Sequence, residues 1–447
     1  MNRTGINTAA AARVAAAAAL MLALATGTCA RRTADAPAAD ATPPSPASAA
    51  LAGIPAVAEL APPTPQKIRK TIQGITFDSD YDNGSLLDVE SADGGAFFVK
   101  TWTEPGEKWA ANFWFRFRIT GARGRRLTLR FDRLHTERPA VRWSGGAWRR
   151  ATAAEAPGSN TLVLEVPPET EWAEVAFYFP LGVEETYREV RRIVAAAGPD
   201  AALQEIGRSR MGRPLLMATV TDRSVPDAGK HRVWVHARTH PGEVTAAHTL
   251  LGFLEQVAED SPLGARLRSR CIFNIVPVVN VDGVWLGLTR WNPWGRDLED
   301  RWCEAEEPET QALKARIDAF MAGPNPIEVA LNLHSSQAVR KSDSFFWKHV
   351  RPSVTERFER IQQRFIDAFD RATPLFDNRS PGESQLEPCR FVESYFWNNW
   401  GERVMAITYE GHFRRRLTDG EFITAGDHRA LGRALATALI QYFDLPE

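Results

Sequence analysis

The sequence of 447 residues has no excess of charge of either sign. It contains 54 Lys and Arg against 55 Asp and Glu, without a long basic run. Because a polyanion partner requires a basic surface, we expect no nucleic-acid partner. The apolar content of 44% is sufficient to bury a full core, and the length favours two folded units.

Cysteine is also scarce, with four in the whole chain: Cys29, Cys271, Cys303 and Cys389. So few cysteines exclude the disulfide-dense scaffold of small secreted domains. Their scattered positions lack the paired spacing of a cysteine-type zinc site, which favours buried small hydrophobic side chains. Beyond Cys29 the count is odd, so these residues cannot all pair within one chain. The sequence leaves open whether Cys303 pairs with Cys389.

Near the N-terminus, the apolar run from Val14 to Ala25 is too short to span a bilayer. Arg3 and Arg13 precede this run, and small residues follow it up to Cys29. This order is typical of a secretory signal peptide, so residues 1–30 are predicted to direct export to the periplasm or the medium. We expect no transmembrane helix in the mature chain, and the sequence leaves open a lipid anchor at Cys29.

Three further segments differ in composition. Residues 31–68 are rich in Ala, Pro, Thr and Ser, which predicts a flexible linker because such a segment buries little apolar surface. Residues 69–184 contain short β-rich runs with turn signals between them, which predict an antiparallel β-sandwich domain. In residues 185–447, strands alternate with helical patterns. This order predicts an α/β domain with a central mixed, largely parallel sheet flanked by helices.

Several predicted strands of this second domain end in polar residues. His240, His334 and Glu410 each end a strand, and ligands of open α/β sheets bind beyond such strand ends. Glu243 follows His240 within the tetrapeptide HPGE, so both side chains can converge from one short loop. Two histidines and a glutamate form the ligand set of catalytic zinc sites. Taken alone, Glu243 is equally typical of a residue that complements a helix dipole.

These motifs resemble those of the zinc metallocarboxypeptidases, especially the cytosolic carboxypeptidase-like (deglutamylase-like) branch. The similarity extends from about Glu205 to Asp444, and is carried by the segments HARTHPGE, PVVNVDGVWLGLTR, NLHSSQ and TYEGH. Two positions differ, since Gly242 stands where digestive members carry arginine and Val281 where proline is usual. The β-rich segment before this region is similar to the sandwich that precedes the catalytic domain in that branch.

The resemblance implies a zinc cofactor and a role for each of six residues. It implies three zinc ligands, namely His240, Glu243 and His334. It implies that Glu410 is the general base and acid that acts on water, and that Arg290 stabilises the oxyanion. It also implies that Asp297 orients the first zinc histidine, which fixes the tautomer and basicity of a ligand. For Arg290 and Asp297, ordinary surface positions are the competing interpretation.

One motif departs from the family in a way that bears on the substrate. The family's run Asp-x-Asn-Arg-Asn-Trp/Tyr grips a terminal carboxylate, whereas this chain has Glu299 and Asp300 in place of the Asn-Arg pair. Because carboxylates repel one another, these residues predict an acidic substrate pocket that suits an amine, a guanidinium or a sugar hydroxyl. Two alternatives stay open: Arg296 or Arg301 restores carboxylate binding, or the two acids face solvent.

Together these features predict a zinc-dependent hydrolase of peptide or amide bonds in the cell envelope, whose partner is a peptide or peptide-like substrate. Two other functions are compatible with the sequence. One is a zinc deacylase or esterase on a non-peptide substrate, suggested by the altered carboxylate clamp. The other is a non-catalytic module that binds peptide or glycan. The sequence alone gives neither the exact substrate nor the oligomeric state.

Overall fold

The computed structural model describes residues 67–104, 113–158, 160–336, 344–376 and 382–446. The predicted signal peptide, Cys29 and almost all of the predicted linker lie outside these residues. These described residues belong to one compact unit, and the predicted domain boundary after residue 184 stays a prediction. Within the described ranges, no helix has the length and apolar character needed to cross a membrane.

The first part of this unit contains two sheets that face each other through aromatic side chains. Phe77 and Phe97 come from different sheets and their ring centroids are 5.0 Å apart. Phe115 and Phe131 form a second such contact at 5.2 Å. The strands are β1 (Arg69–Ile72), β2 (Ile75–Asp78), β3 (Asp88–Ala92), β4 (Ala96–Lys100), β5 (Arg116–Thr120), β6 (Arg126–Phe131), β7 (Ala140–Trp143), β8 (Arg149–Arg150), β9 (Thr161–Glu165) and β10 (Trp172–Ala176).

The larger of these sheets has the order β1-β2-β5-β10-β7-β8, and all its strand pairs are antiparallel. The smaller sheet has the order β3-β4-β6-β9, and its β4 and β6 pair in parallel. This pair departs from the purely antiparallel prediction. Between β4 and β6 the chain contributes β5 to the other sheet, so this pair is not joined by a hairpin, the connection that gives antiparallel neighbours.

The second part is built on an eight-stranded sheet of order β11-β12-β14-β13-β15-β18-β16-β17. Its central strands β14, β13, β15 and β18 are parallel to their neighbours in this series, and antiparallel pairs lie on either side of them. The strands are β11 (Ala201–Arg208), β12 (Pro214–Val220), β13 (His231–Ala237), β14 (Cys271–Val276), β15 (Ile327–Ser336), β16 (Phe345–His349), β17 (Gly382–Ser384) and β18 (Met405–His412). The predicted mixed, largely parallel sheet is confirmed.

Helices cover this sheet, and every residue of β14 is buried, as expected for a central strand with both faces covered. The helices are α1 (Val183–Ala196), α2 (Val244–Ala258), α3 (Pro262–Arg270), α4 (Val281–Leu286), α5 (Pro308–Met321), α6 (Glu356–Ala372), α7 (Val392–Trp400) and α8 (Ala425–Tyr442). Two glycines let α2 and α8 approach closely. A Cβ atom at Gly252 would lie 2.0 Å from the carbonyl oxygen of Arg429, and one at Gly432 would lie 1.8 Å from that of Thr249.

A disulfide joins Cys303 to Cys389, the pair that the sequence left open. It connects the loop that follows Arg290 to the segment before α7 across a sequence separation of 86 residues. Cys271, by contrast, is a buried free thiol at the start of β14, as expected for a small apolar side chain.

Candidate metal centre and active site

Hydrogen bonds from a buried arginine hold the loop that follows β13, next to the candidate site. Arg238 lies just past the strand with a positive φ of 60°, and its side chain is fully buried. Its guanidinium donates to the carbonyl oxygen of Pro241 at 2.5 Å and to that of Leu181 at 3.0 Å. These bonds fix the backbone between His240 and Glu243, so both side chains project from a preorganised turn.

Three side chains converge at the end of β13, the start of α2 and β15. His240 Nδ1 lies 2.7 Å from Glu243 Oε1, and His334 Nδ1 lies 2.8 Å from Glu243 Oε2. The two Nδ1 atoms are 3.2 Å apart. A tetrahedral zinc ion with bonds of about 2.0–2.1 Å holds its ligand atoms about 3.3 Å apart, so this group fits zinc. The backbone N–H of Ser335 also donates to Glu243 Oε2 at 3.0 Å and holds the carboxylate in place.

A second pair of carboxylates lies at the opposite edge of the same imidazoles. His240 Nε2 is 3.2 Å from Asp297 Oδ1 and 3.3 Å from Glu299 Oε2. His334 Nε2 is 3.4 Å from Glu299 Oε1. Glu299 therefore also groups with both histidines as a set that could hold a metal ion. The structure thus offers two carboxylates, Glu243 and Glu299, on opposite edges of one imidazole pair.

Arg290 distinguishes these two edges. Its Nε donates to Asp297 Oδ2 at 2.8 Å, and its Nη2 lies 3.5 Å from Glu299 Oε2. The Nε2 edge of the imidazoles therefore already faces a guanidinium, and a metal ion placed there would meet a like charge. The Nδ1 edge with Glu243 is the better position for a cation.

The electrostatics of the site favour positive charge between the imidazoles. Although burial opposes the charged form, Glu299 and Glu243 raise the pKa of His334 to about 9. Burial likewise opposes charge on His240, but Glu243 and Asp297 hold the pKa of this imidazole well above its usual value. Carboxylates that stabilise protons here would equally stabilise a bound metal ion.

Glu410 lies beside this group because β15 and β18 pair with His334 opposite Glu410. The indole Nε1 of Trp347 donates to Glu410 Oε1 at 3.0 Å. Glu410 Oε2 is buried and has no hydrogen-bond partner among the described residues. Burial, with the charge of Glu243 adding to it, raises the pKa of Glu410 to about 8, against the opposing effects of His334 and Trp347. One carboxylate oxygen is thus anchored and the other is available.

The two acids of the altered substrate motif separate in the structure. Glu299 points to the imidazoles, and its side chain is 14% exposed. Asp300 is 48% exposed and accepts from Arg390 Nε at 3.2 Å. Arg301, one of the arginines considered as a carboxylate clamp, is paired with Glu304 and Glu306 instead.

Trp347 and Glu393 are site residues that the sequence did not single out. Trp347 lies in β16, and the segment SFFWKHV reads only as an apolar strand. Glu393 is buried at the start of α7 and accepts from Thr408 Oγ1 at 2.6 Å. Burial raises the pKa of Glu393, and Glu299 is among the charges that add to this effect. A single acid in a helical run carries no signal by which it could have been found.

Comparison with known proteins finds similarity over the region that contains this candidate site. The sequence profile of the zinc carboxypeptidase family matches residues 188–387, a range that includes His240, Glu243, Arg290 and His334 and ends before Glu410. A crystal structure of a metallo-carboxypeptidase from Burkholderia cenocepacia superposes with a TM-score of 0.69 at 25% identity. The match covers 83% of this chain and 99% of that one. The profile match and the superposition together show that this part of the chain is similar to the zinc carboxypeptidases in sequence and in fold.

Curated relatives extend the comparison. Cytosolic carboxypeptidase 2 of Xenopus tropicalis is 32% identical over 145 residues, which is 31% of this chain and 15% of that protein. An uncharacterised protein of Zymomonas mobilis is 22% identical over 329 residues, or 70% of this chain and 82% of that protein. The chain therefore spans only a small part of the cytosolic carboxypeptidase it matches. With the profile match and the fold in agreement, the chain is a zinc-dependent hydrolase of the metallocarboxypeptidase type.

Proposed function

We propose that this enzyme is an exported peptidase that cleaves a peptide or amide bond near the end of a small peptide, with His240, Glu243 and His334 as its metal ligands. One observation carries the proposal: two Nδ1 atoms and a carboxylate lie within 2.7–3.2 Å of one another. Glu243 is preferred to Glu299 because Arg290 borders only the Nε2 edge. In this arrangement His240 donates its Nε2–H to Asp297, the usual support of a metal-binding histidine, and His334 Nε2 lies 3.4 Å from Glu299 without a hydrogen bond.

The chemistry of the reaction is divided among a few side chains. When bound, zinc supplies a Lewis acid that polarises the scissile carbonyl group and lowers the pKa of water. Glu410 takes the proton of the attacking water and returns it to the leaving amine, a role that suits a buried carboxylate with one available oxygen. Arg290, whose side chain is paired with Asp297 in this structure, would leave that carboxylate and donate to the oxyanion that develops on the carbonyl group. Asp297 accepts from His240 Nε2 and fixes the tautomer that binds the metal through Nδ1.

The substrate pocket is acidic in this proposal. Glu299 is close to both imidazoles and is mostly buried, so a free carboxylate at this position would meet a like charge. A substrate whose end carries an amine, a guanidinium or a hydroxyl would avoid that repulsion. Asp300 takes part only at the outer rim, because it is half exposed and paired with Arg390.

Location in the cell envelope is the remaining element of the proposal. Residues 1–30 have the pattern of a signal peptide. Support also comes from the disulfide between Cys303 and Cys389, since such bonds persist in oxidising compartments and are rare in reducing ones. Secretion of a full-length fusion to a periplasmic reporter tests this element, and retention of the reporter in the cytoplasm would contradict it.

Metal analysis and a substrate panel test the proposed function. Purified protein should contain about one zinc per chain, and Glu243→Ala should lose most of it while Glu299→Gln keeps it at saturating zinc. Zinc retained by Glu243→Ala but lost by Glu299→Gln would place the metal at the opposite edge.

Each panel substrate should be offered with a free carboxylate and with a blocked or basic end. We expect peptides with a basic or blocked end to react faster. Hydrolysis of esters and acyl amides, with every peptide left intact, would favour the deacylase or esterase instead.

A further inference from the structure

A buried glutamate of the β-sandwich region accepts hydrogen bonds from the backbone of the loop that carries Arg290. Glu104 is only 3% exposed. Its Oε1 accepts from the backbone N–H of Thr289, and from that of Arg290 at 3.0 Å. Its Oε2 accepts from the N–H of Arg290 at 3.2 Å and from that of Trp291 at 3.1 Å. Three successive amides thus point at one carboxylate that is 185 residues distant in sequence.

Thr289 is further tied to both parts of the structure. The backbone N–H of Trp114 donates to Thr289 Oγ1 at 3.3 Å, and that of Gly242 donates to the Thr289 carbonyl oxygen at 2.8 Å. Gly242 belongs to the HPGE loop, and a Cβ there would lie 3.1 Å from both Thr289 and the ring of Phe113. The arginine loop is therefore fixed against the metal-binding loop on one side and against the sandwich on the other.

Successive backbone N–H groups that point inward form an anion-binding concavity. A carboxylate in such a position forms charge-assisted hydrogen bonds, which are shorter and stronger than neutral ones. Because the bonds are made to the backbone rather than to a side chain, they set the position of the Arg290 Cα atom. The side chain itself is then directed by Asp297 at 2.8 Å.

We propose that Glu104 is a positioning residue that places Arg290 for oxyanion stabilisation, so that the sandwich region contributes directly to the reaction. The inference rests on the proposed role of Arg290. A displacement of about 1 Å of a group that acts in the transition state costs on the order of a hundredfold in rate, so the loop must be held accurately. Glu104, which lies outside the loop, holds the loop backbone in place through these hydrogen bonds.

The test is a double-mutant cycle on the full-length zinc enzyme with Glu104→Gln and Arg290→Ala. Glutamine keeps one acceptor oxygen but presents an N–H₂ group to the remaining amides. The variant therefore loses part of the hydrogen bonding to the loop, and no cavity forms because the side chains have the same size. We expect Glu104→Gln to lower kcat on the order of ten- to a hundredfold, with unchanged zinc content. In the Arg290→Ala background the same change should lower kcat by less than about twofold, because the group that it positions is absent.

Glu174→Gln is the matched control, since Glu174 is a fully buried carboxylate of the same sandwich that contacts arginines rather than this loop. It should lower the unfolding temperature and leave kcat of the folded enzyme unchanged. If Glu104→Gln lowers kcat equally in both backgrounds, or not at all while Arg290→Ala is impaired, the inference is wrong and the proposed function stands. Full activity of Arg290→Ala would instead overturn the proposed role of Arg290.

Glu104→Ala gives an independent measurement, because it opens space where the carboxylate lies. Formate or acetate added to this variant should restore part of the lost kcat, whereas neither should affect the Glu174→Gln control. Absence of rescue in a folded, zinc-loaded Glu104→Ala enzyme would count against the proposal.

Discussion

Two buried clusters of charge, one in the sandwich region and one at the candidate metal centre, are built in different ways. In the sandwich, Glu174 is fully buried and lies 3.0 Å from Arg118, 2.5 Å from Arg142 and 3.7 Å from Arg116. Arg116 in turn binds Glu185 with both terminal nitrogens at 3.0 and 3.1 Å. Positive groups of the protein itself therefore surround the buried carboxylate, and the cluster needs no further ion.

The metal centre has the opposite balance. Among the described residues, three carboxylates contact the imidazole pair, with the guanidinium of Arg290 beside them: Glu243, Asp297 and Glu299. With neutral imidazoles, three carboxylates against one guanidinium leave about two negative units, and buried charge without a partner is costly. A divalent cation would offset this excess. The sandwich cluster is thus neutralised by the protein's own side chains, whereas the candidate metal centre has an excess of negative charge that a cation would balance.

The largest expected effect is on the rate, from Glu410→Gln. Glutamine preserves shape and the acceptor oxygen for Trp347 but cannot take a proton. We expect kcat/KM to fall about 10²- to 10⁴-fold while the zinc content stays at about one per chain. Steady-state kinetics with metal analysis on the same sample checks both.

Trp347→Phe is the companion variant, since it removes the hydrogen bond to Glu410 Oε1 and keeps an aromatic ring at this position. A smaller loss is expected, because Glu410 keeps its chemistry but loses its anchor. Full activity of Glu410→Gln would remove this residue from the mechanism.

Substitutions in the buried charge cluster of the sandwich should lower the free energy of unfolding rather than kcat. Glu174→Ala removes the buried carboxylate that Arg118 and Arg142 share, whereas the buried Arg116 keeps Glu185, and we expect the free energy of unfolding to fall by about 3 kcal/mol. Denaturant titration measures this loss. Added zinc should stabilise wild type and variant by the same increment, because the ion binds elsewhere. A variant that loses zinc affinity along with stability would contradict the separation of the two clusters.

Much of this contrast was predictable from the sequence, within limits set by distance along the chain. Strand–helix alternation predicted the α/β domain, and strand ends predicted which polar side chains would meet. His240 and Glu243 are three residues apart, so local geometry brings them together. His334 could be added because parallel strands end at one edge of a sheet. The fold therefore followed from periodicity, and the convergence of the three candidate ligands followed from topology.

Other features depended on contacts that periodicity does not encode. Trp347 lies in a strand whose pairing with β18 decides that its indole reaches Glu410, and nothing in an apolar run indicates that pairing. Glu104 meets Thr289 across 185 residues through backbone groups, which have no sequence signature. The altered acids were visible as a motif, but their separation into a buried Glu299 and an exposed Asp300 required coordinates.

The disulfide provides a test of intermediate size. It joins the loop after Glu299 to the segment before α7. Its reduction would break a cross-link that spans 86 residues. We expect Cys303→Ser to lower the free energy of unfolding by about 2–4 kcal/mol, measured by denaturant titration with and without reductant. Cys271→Ser is the control that retains the disulfide, so reductant should destabilise it by the same increment as wild type and should not destabilise Cys303→Ser further. If reductant destabilises wild type no more than Cys303→Ser, the cross-link is absent in solution.

The smallest effect is expected from Glu299→Gln, which removes one negative charge from the outer edge of the imidazole pair. Because carboxylates that hold metal-binding histidines tune the metal, zinc affinity should fall about 10- to 100-fold by competition with a chelator. The same variant should also tolerate a free carboxylate on the substrate better than wild type does. Asp300→Asn is the matched control: its carboxylate is half exposed and paired with Arg390, so neither quantity should change. Equal responses from the two variants would mean that general acidity of the loop, rather than the position of Glu299, sets the charge balance of the site.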